Sequence, residues 1–255
     1  MPPSTERLLD EVVLHTTAFA DAAHTAGLEA RVPTCPEWTV RDLAEHLGGV
    51  HRWCAGTVSR PGEKLVRRGV GDAPMPESVD EVSAWLLEGA AILTQAVRDA
   101  GEDTLVGGFG TMVPVSFWAR RQCHETLVHR ADAELAAGVP VLADVAPEIA
   151  ADAVDEHLAM VALSAKRRPG LGGDGATLHL HATDDGLDES GEWVVTLDAE
   201  GPRVEHAHRK SDAAVRGPAR ALLTVLTSRE RPEDVGVDVL GAAELLDRWR
   251  EHGAV

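Results

Sequence analysis

Cysteine is scarce in this chain of 255 residues: there are three, at positions 35, 54 and 123. So odd and sparse a set excludes a disulfide framework, and all three thiols are expected to be reduced. Long apolar runs are missing too. No stretch approaches the roughly 18 to 20 apolar residues that a membrane-spanning helix needs, and Met1-Pro-Pro-Ser-Thr-Glu-Arg lacks the basic-then-apolar order of a secretory signal. A cytoplasmic location is therefore expected. Basic residues are outnumbered, with 24 Lys and Arg against 42 Asp and Glu and a formal net charge of −18. That balance argues against nucleic acid and anionic membrane surfaces, both of which demand a basic face. An anionic substrate would be repelled at long range and would have to be held by local arginines. Repeats and low-complexity stretches are absent.

What the chain does have is enough apolar content, 44%, to bury a substantial core. Caps and breakers predict helices over Thr5 to Ala26, Thr39 to Ser59, Ser78 to Ala100, Pro114 to Ala137 and Pro147 to Ala165. The connection from Arg60 to Glu77, rich in Gly and Pro, is expected to cross the surface and to contribute to a lid. After the run Lys166 to Gly175 the pattern alternates, predicting strands at Thr177 to Thr183, Glu192 to Asp198 and Arg203 to His208. A helix over Asp212 to Ser228, a strand-like Val235 to Leu240 and a helix over Ala242 to His252 follow. The expected fold class is α+β in two domains: an up-down helical bundle over residues 1–165, and a small antiparallel sheet with helices over residues 176–255.

Two stretches carry chemistry. Glu125 and His129, in Cys123-His-Glu-Thr-Leu-Val-His129, stand four apart on one helical face. His46 lies in Trp38-Thr-Val-Arg-Asp-Leu-Ala-Glu-His46-Leu-Gly-Gly beside the apolar stripe of Val40, Leu43 and Leu47, with Thr39 as N-cap. Two imidazoles and one carboxylate form a set that holds a divalent metal with a coordination position left open. Zinc is the first choice, and iron, nickel and manganese remain open. Cys123, two residues before Glu125, points away from that face, so a reactive thiol would have to come from a cofactor. A rival set, His179, His181, His206 and His208, is expected to fail. In a simple meander its two strands flank a third and stand roughly 10 Å apart. His51 is expected in a cleft or on the surface, and His124 away from the ligand face. Trp38, Trp53, Trp85 and Trp118 are expected in packing roles, and Gly107-Gly-Phe-Gly110 in a turn leading into a helix.

The segment Val32-Pro-Thr-Cys-Pro-Glu-Trp-Thr-Val-Arg-Asp-Leu-Ala-Glu-His-Leu-Gly-Gly-Val50 resembles the opening signature of the mycothiol-dependent maleylpyruvate isomerase family. Glu125-Thr-Leu-Val-His-Arg-Ala-Asp132 resembles its second signature, and Ser211 to Arg229 resembles its C-terminal helix ending in Gly-Arg. Two positions depart: Ala131 stands where the family commonly has an aromatic, and Ser228 where Gly commonly precedes the arginine.

The resemblance implies a DinB-like metal-binding N-terminal domain and a sterol-carrier-protein-like C-terminal domain. It implies that His46, Glu125 and His129 bind a divalent metal, and that mycothiol is the thiol activated there. The implied partners are that low-molecular-weight thiol and a small electrophilic substrate, in a monomer or small homo-oligomer. In the implied isomerisation the thiolate adds to a cis double bond, the resulting single bond rotates, and elimination gives the trans product. Arg229 resembles the family arginine that faces the metal across the interdomain cleft, a catalytic and cofactor-binding role. A mycothiol S-transferase acting on an electrophilic metabolite, xenobiotic or biosynthetic intermediate, and a non-enzymatic metal or small-molecule binding protein, are the alternative readings.

Overall fold

The computed structural model describes residues 2–65 and 74–253. The expected lid segment from Arg60 to Glu77 therefore falls partly outside the described residues. The chain parts into two units, Ser4–Leu142 and a second that begins at Ala143 and takes in Pro2 and Pro3.

The first unit is a four-helix bundle of α1 (Thr5–Ala26), α2 (Val40–Val58), α3 (Val79–Ala100) and α4 (Val115–Ala137). Local chemistry sets these bounds. Ser4, Thr39 and Ser78 each accept a backbone N–H of the first turn, and Thr39 with Asp42 completes a reciprocal capping box. Gly138 closes α4 in the left-handed region, at φ 67°. Within the bundle α1 packs on α4 and α3, and α2 on α3 and α4. Phe19, Leu43, Leu47 and Leu86 fill one part of the core, and Leu9, Val12, Leu93 and Trp118 another. Each such side chain contributes about 1.5–3 kcal/mol through burial.

Two short hairpins complete this unit: β1 (Arg31–Val32) with β2 (Cys35–Thr39), and β3 (Leu105–Gly107) with β4 (Met112–Pro114). Of Gly107-Gly-Phe-Gly110, Gly107 ends β3 and the other three residues lead through the bend of the second hairpin, just before α4, with Gly110 at φ 91°. Helix α4 is unlike its neighbours because it buries Gln122, His124, Thr126, Arg130, Asp132 and Glu134 along with its apolar residues. Polar groups in a core must be paired. Arg130 donates to Glu134 at 2.7 Å and to His15 Nδ1 of α1 at 3.2 Å, and His15 Nε2 stands 3.3 Å from Glu11. This buried chain fixes α1 on α4.

The second unit contains α5 (Pro147–Leu163), α6 (Ala219–Leu226), α7 (Glu244–His252) and a five-stranded sheet. The strands are β5 (Ala176–Ala182), β6 (Glu192–Asp198), β7 (Gly201–Glu205), β8 (Ala213–Gly217) and β9 (Asp238–Gly241), in the order β7-β6-β5-β8-β9. Three expectations are corrected here. Helix α5, assigned from sequence to the bundle with a boundary at residue 165, packs on α6 and β7 in the second unit. Residues 213–217, read as helix, are strand β8, because Gly217-Pro218 stops the helical pattern and Pro218 can only precede α6. The sheet is consequently mixed, with β8 parallel to β5, rather than wholly antiparallel. Leu178, Leu180, Trp193 and Val195 bury one face, and Trp193 Nε1 donates to Asp155 of α5 at 3.2 Å.

Gly48 lets α2 and α3 approach. A Cβ there would fall inside the volume of the Trp85 ring, which the Arg52 guanidinium covers at 4.1 Å. Gly48→Ala should gain about 1 kcal/mol of helix propensity and lose more than that, roughly 2–3 kcal/mol, to overpacking. A net loss of about 1–2 kcal/mol in urea denaturation is expected, and a variant as stable as the parent would contradict the close crossing.

Candidate metal centre

His46 of α2 and Glu125 and His129 of α4 converge, their ligand atoms all lying within 4.8 Å of one another. His46 Nε2 is 3.3 Å from Glu125 Oε1, and His129 Nε2 is 3.4 Å from the same oxygen. Ligand atoms around a tetrahedral zinc, with bonds of about 2.0–2.1 Å, stand roughly 3.3 Å apart. The two separations from Glu125 Oε1 are of that length. They are partly buried, with 27%, 17% and 14% of the His46, Glu125 and His129 side chains exposed, so the cluster is reachable from solvent.

Hydrogen bonds around the trio orient its ligand atoms. His129 Nδ1 lies 3.0 Å from Asp132 Oδ2. Asp132 is fully buried and also accepts from Thr34 Oγ1 at 2.5 Å. An Nδ1–H donated to Asp132 leaves the Nε2 lone pair aimed at the Glu125 carboxylate, an arrangement that demands positive charge between them. A metal ion at that point would supply it. Glu125 Oε2 pairs with Arg121 one turn away, which leaves Oε1 as the oxygen facing both imidazoles. Sequence reasoning quoted Asp132 and Thr34 inside the two signatures without giving either a role. The spacing of three between His129 and Asp132 was the available signal, because it stacks the pair on one helical face.

Neighbouring residues hold α2 and α4 in register. His51 is fully buried rather than in a cleft or on the surface. Burial, then the nearby charges of Arg52 and His129, push its pKa down to about 3, so it stays neutral. Its Nε2 lies 2.9 Å from Thr126 Oγ1, whose own proton goes to the Gln122 carbonyl at 2.7 Å. The proton between His51 and Thr126 must therefore sit on Nε2. Trp38 lies beside His46, ring centroids 5.2 Å apart and planes at 53°, so it borders the site, whereas Trp85 and Trp118 are buried core. Cys54 and Cys123 are fully buried, and burial raises the Cys54 thiol far above its ordinary range. Neither is a nucleophile in this state.

Arg229 belongs to the second unit. It follows Ser228, which closes α6 in the left-handed region at φ 62°, and its buried guanidinium donates to the Thr227 carbonyl at 2.8 Å. Left-handed backbone is where glycine is favoured. Ser228 is held there by its hydroxyl, which donates to the Arg250 carbonyl at 3.0 Å.

The expectation that the other histidines stay apart is overturned in part. Strand β7 ends at Glu205, and the chain then turns back so that His208 Nδ1 reaches Glu192 Oε1 at 2.9 Å. Glu192 sits on β6 opposite His181. With His179 and His181 it completes a cluster whose ligand atoms lie within 4.8 Å of each other. Burial raises the Glu192 carboxyl, but hydrogen bonds from His208 and His179 and the charges of His181 and His179 outweigh it, and the group rests below the ordinary carboxylate range. His206 stays outside, 3.0 Å from Asp155. Among the described residues no helix is long and apolar enough to cross a membrane.

Comparison with known proteins places these features in a family. Residues 8–134 match the mycothiol maleylpyruvate isomerase N-terminal domain, and residues 148–248 match the C-terminal domain of the same family. The two matches fall within the two units. The structure is similar to the crystal structure of a mycothiol-dependent maleylpyruvate isomerase and to that of a histidine-to-alanine mutant. Over 93% of each chain, identity is 16% and the TM-scores are 0.58 and 0.59. No curated protein matches the chain. In fold and across both domains, the chain belongs to the mycothiol-dependent maleylpyruvate isomerase family.

Proposed function

We propose that this chain is a metal-dependent enzyme that uses mycothiol to isomerise a small cis-unsaturated acid of the maleylpyruvate type, with His46, Glu125 and His129 as the metal ligands. The observation that carries this reading is the meeting of two imidazole nitrogens and one carboxylate oxygen at 3.3 and 3.4 Å, in a member of this family. The donor set suits zinc, and the ligand spacing agrees with it. Bound there, a divalent ion would lower the pKa of a thiol so that its thiolate is available at neutral pH.

The chain's own residues prepare the site for that chemistry. Asp132 holds the proton on His129 Nδ1 and turns Nε2 toward the ligand cluster, the arrangement that fixes ring orientation and raises ligand basicity. Arg121 ties one oxygen of Glu125, so the other serves as a single-oxygen ligand. Trp38 beside His46 limits water on that flank. A divalent ion held by these three residues would keep room for a further ligand such as a thiol. For an acid substrate in a chain of net charge −18, a fixed cation is needed, and Arg229 is assigned that role toward a substrate carboxylate or the thiol cofactor.

His46→Ala, Glu125→Gln and His129→Ala should each lose one equivalent of zinc by elemental analysis. Affinity should fall by more than the 10–100-fold typical of outer-shell changes, and mycothiol-dependent conversion of maleylpyruvate should drop to background. Full metal content and turnover in any one of them would sink the assignment. In the parent protein, mycothiol should be regenerated; its stoichiometric consumption into a thioether would indicate S-transfer instead, and metal binding without thiol-dependent turnover a binding protein.

Arg229→Ala should raise the half-saturation concentration roughly 10–100-fold, the scale of a lost charge-assisted hydrogen bond, with partial rescue by Arg229→Lys. Unchanged half-saturation and turnover would remove Arg229 from the site.

A further inference from the structure

The second unit contains a donor set with no part in the reading above. We propose that His179, His181, Glu192 and His208 form a second divalent transition-metal site, closed by four protein ligands and structural in role. It clamps the return of the chain after β7 onto the sheet face that carries His179 and His181.

Each ligand is positioned by a different piece of the fold. His179 and His181 alternate with the buried Leu178 and Leu180, so both imidazoles leave β5 on the same side. Glu192 enters on the adjacent strand, paired in register with His181. His208 comes from the segment between β7 and β8 and closes the set from above. The carboxylate is the hub. Its Oε2 is 2.5 Å from His179 Nε2, and its Oε1 is 3.1 Å from His181 Nδ1 and 2.9 Å from His208 Nδ1. The three ring centroids stand 5.2 to 6.1 Å apart, so the imidazoles surround one point.

Imidazole and carboxylate are the ligands of zinc and its neighbours in the transition series. Four of them satisfy a tetrahedral ion with no open position, which is the mark of a structural rather than a catalytic site. The surroundings favour a cation. The cluster borders a cleft of about 660 Å³ whose lining includes Asp184, Asp185, Asp188 and Glu189, with Arg216 as the basic group. An acidic rim concentrates cations at its mouth. The side chains of His179 and Glu192 are only 10% and 14% exposed, whereas that of His208 is 72% exposed. The site is therefore built into the sheet and finished by a solvent-exposed fourth ligand.

Zinc titration by calorimetry into chelator-stripped full-length protein, with elemental analysis, tests this. The parent should take up two equivalents. His46→Ala should retain one, and His208→Ala and Glu192→Gln should each retain the other, with affinity at the second site down on the order of 100-fold or more. In the His46→Ala background zinc should still raise the thermal midpoint, and adding His208→Ala should abolish that rise. Because the His208 side chain is exposed, its removal leaves the packed sheet intact, so it decides the matter even if Glu192→Gln misfolds. A parent that binds one ion, lost with His46→Ala, overturns the proposal. So does a His208→Ala protein that keeps both equivalents at parental affinity.

Discussion

Two imidazole nitrogens and one carboxylate oxygen, from His46, Glu125 and His129, meet in one small, partly buried volume, and gathering polar groups there costs desolvation that pairing must offset. The bundle is organised to sustain it. Asp132 and Thr34 fix the His129 ring from behind, Arg121 restrains Glu125, and the buried His51–Thr126 bond holds α2 to α4 beside them. The ion pairs and hydrogen bonds from Glu11 through His15 and Arg130 to Glu134 then lock α1 against the same helix. Helix α4 is the expensive element, because it places charged and polar side chains inside a core where each must find a partner. Pairings such as Arg130 with Glu134 and His15, and Thr126 with His51, explain how a helix with no clean apolar stripe packs within the bundle.

The helix bounds and the Glu125–His129 pair were legible in the chain because their signals are local. Ser4, Thr39 and Ser78 are capping residues, and Gly27, Gly101 and Gly138 follow the ends of helices whose bounds match the expected ones within a residue or two. The spacing of four between Glu125 and His129 puts both on one face whatever the tertiary packing. Failures came where long-range geometry decides. Ala213 to Gly217 has the small, apolar composition of a helix start, and its pairing with β5 and β9 makes it a strand. Helix α5 shows the same residues wherever it packs, so its place in the second unit could not be read from its sequence.

The histidine pairs of the second unit show the same limit more sharply. Alternation within β5 and β7 put them two strands apart, and that arithmetic holds for residues that stay in the sheet. His208 does not stay. It lies beyond the last paired residue of β7, and the returning chain brings it over Glu192. Two departures from the family pattern also find physical settings. Ala131 is fully buried two residues from His129, on a different face of α4, so its small size bears on packing inside the bundle rather than on the ligands. Ser228 occupies a left-handed position that costs a non-glycine residue about 1 kcal/mol, offset by its bond to Arg250.

The central claim is that one ion, held by His46, Glu125 and His129, is where a thiol becomes a thiolate. X-ray absorption at the zinc edge, on the His208→Ala protein loaded with one equivalent of zinc, addresses that ion alone. The account predicts a first shell of nitrogen and oxygen at about 2.0–2.2 Å, with a sulfur scatterer appearing at about 2.3 Å when mycothiol is added. A first shell that does not change on adding mycothiol would contradict it.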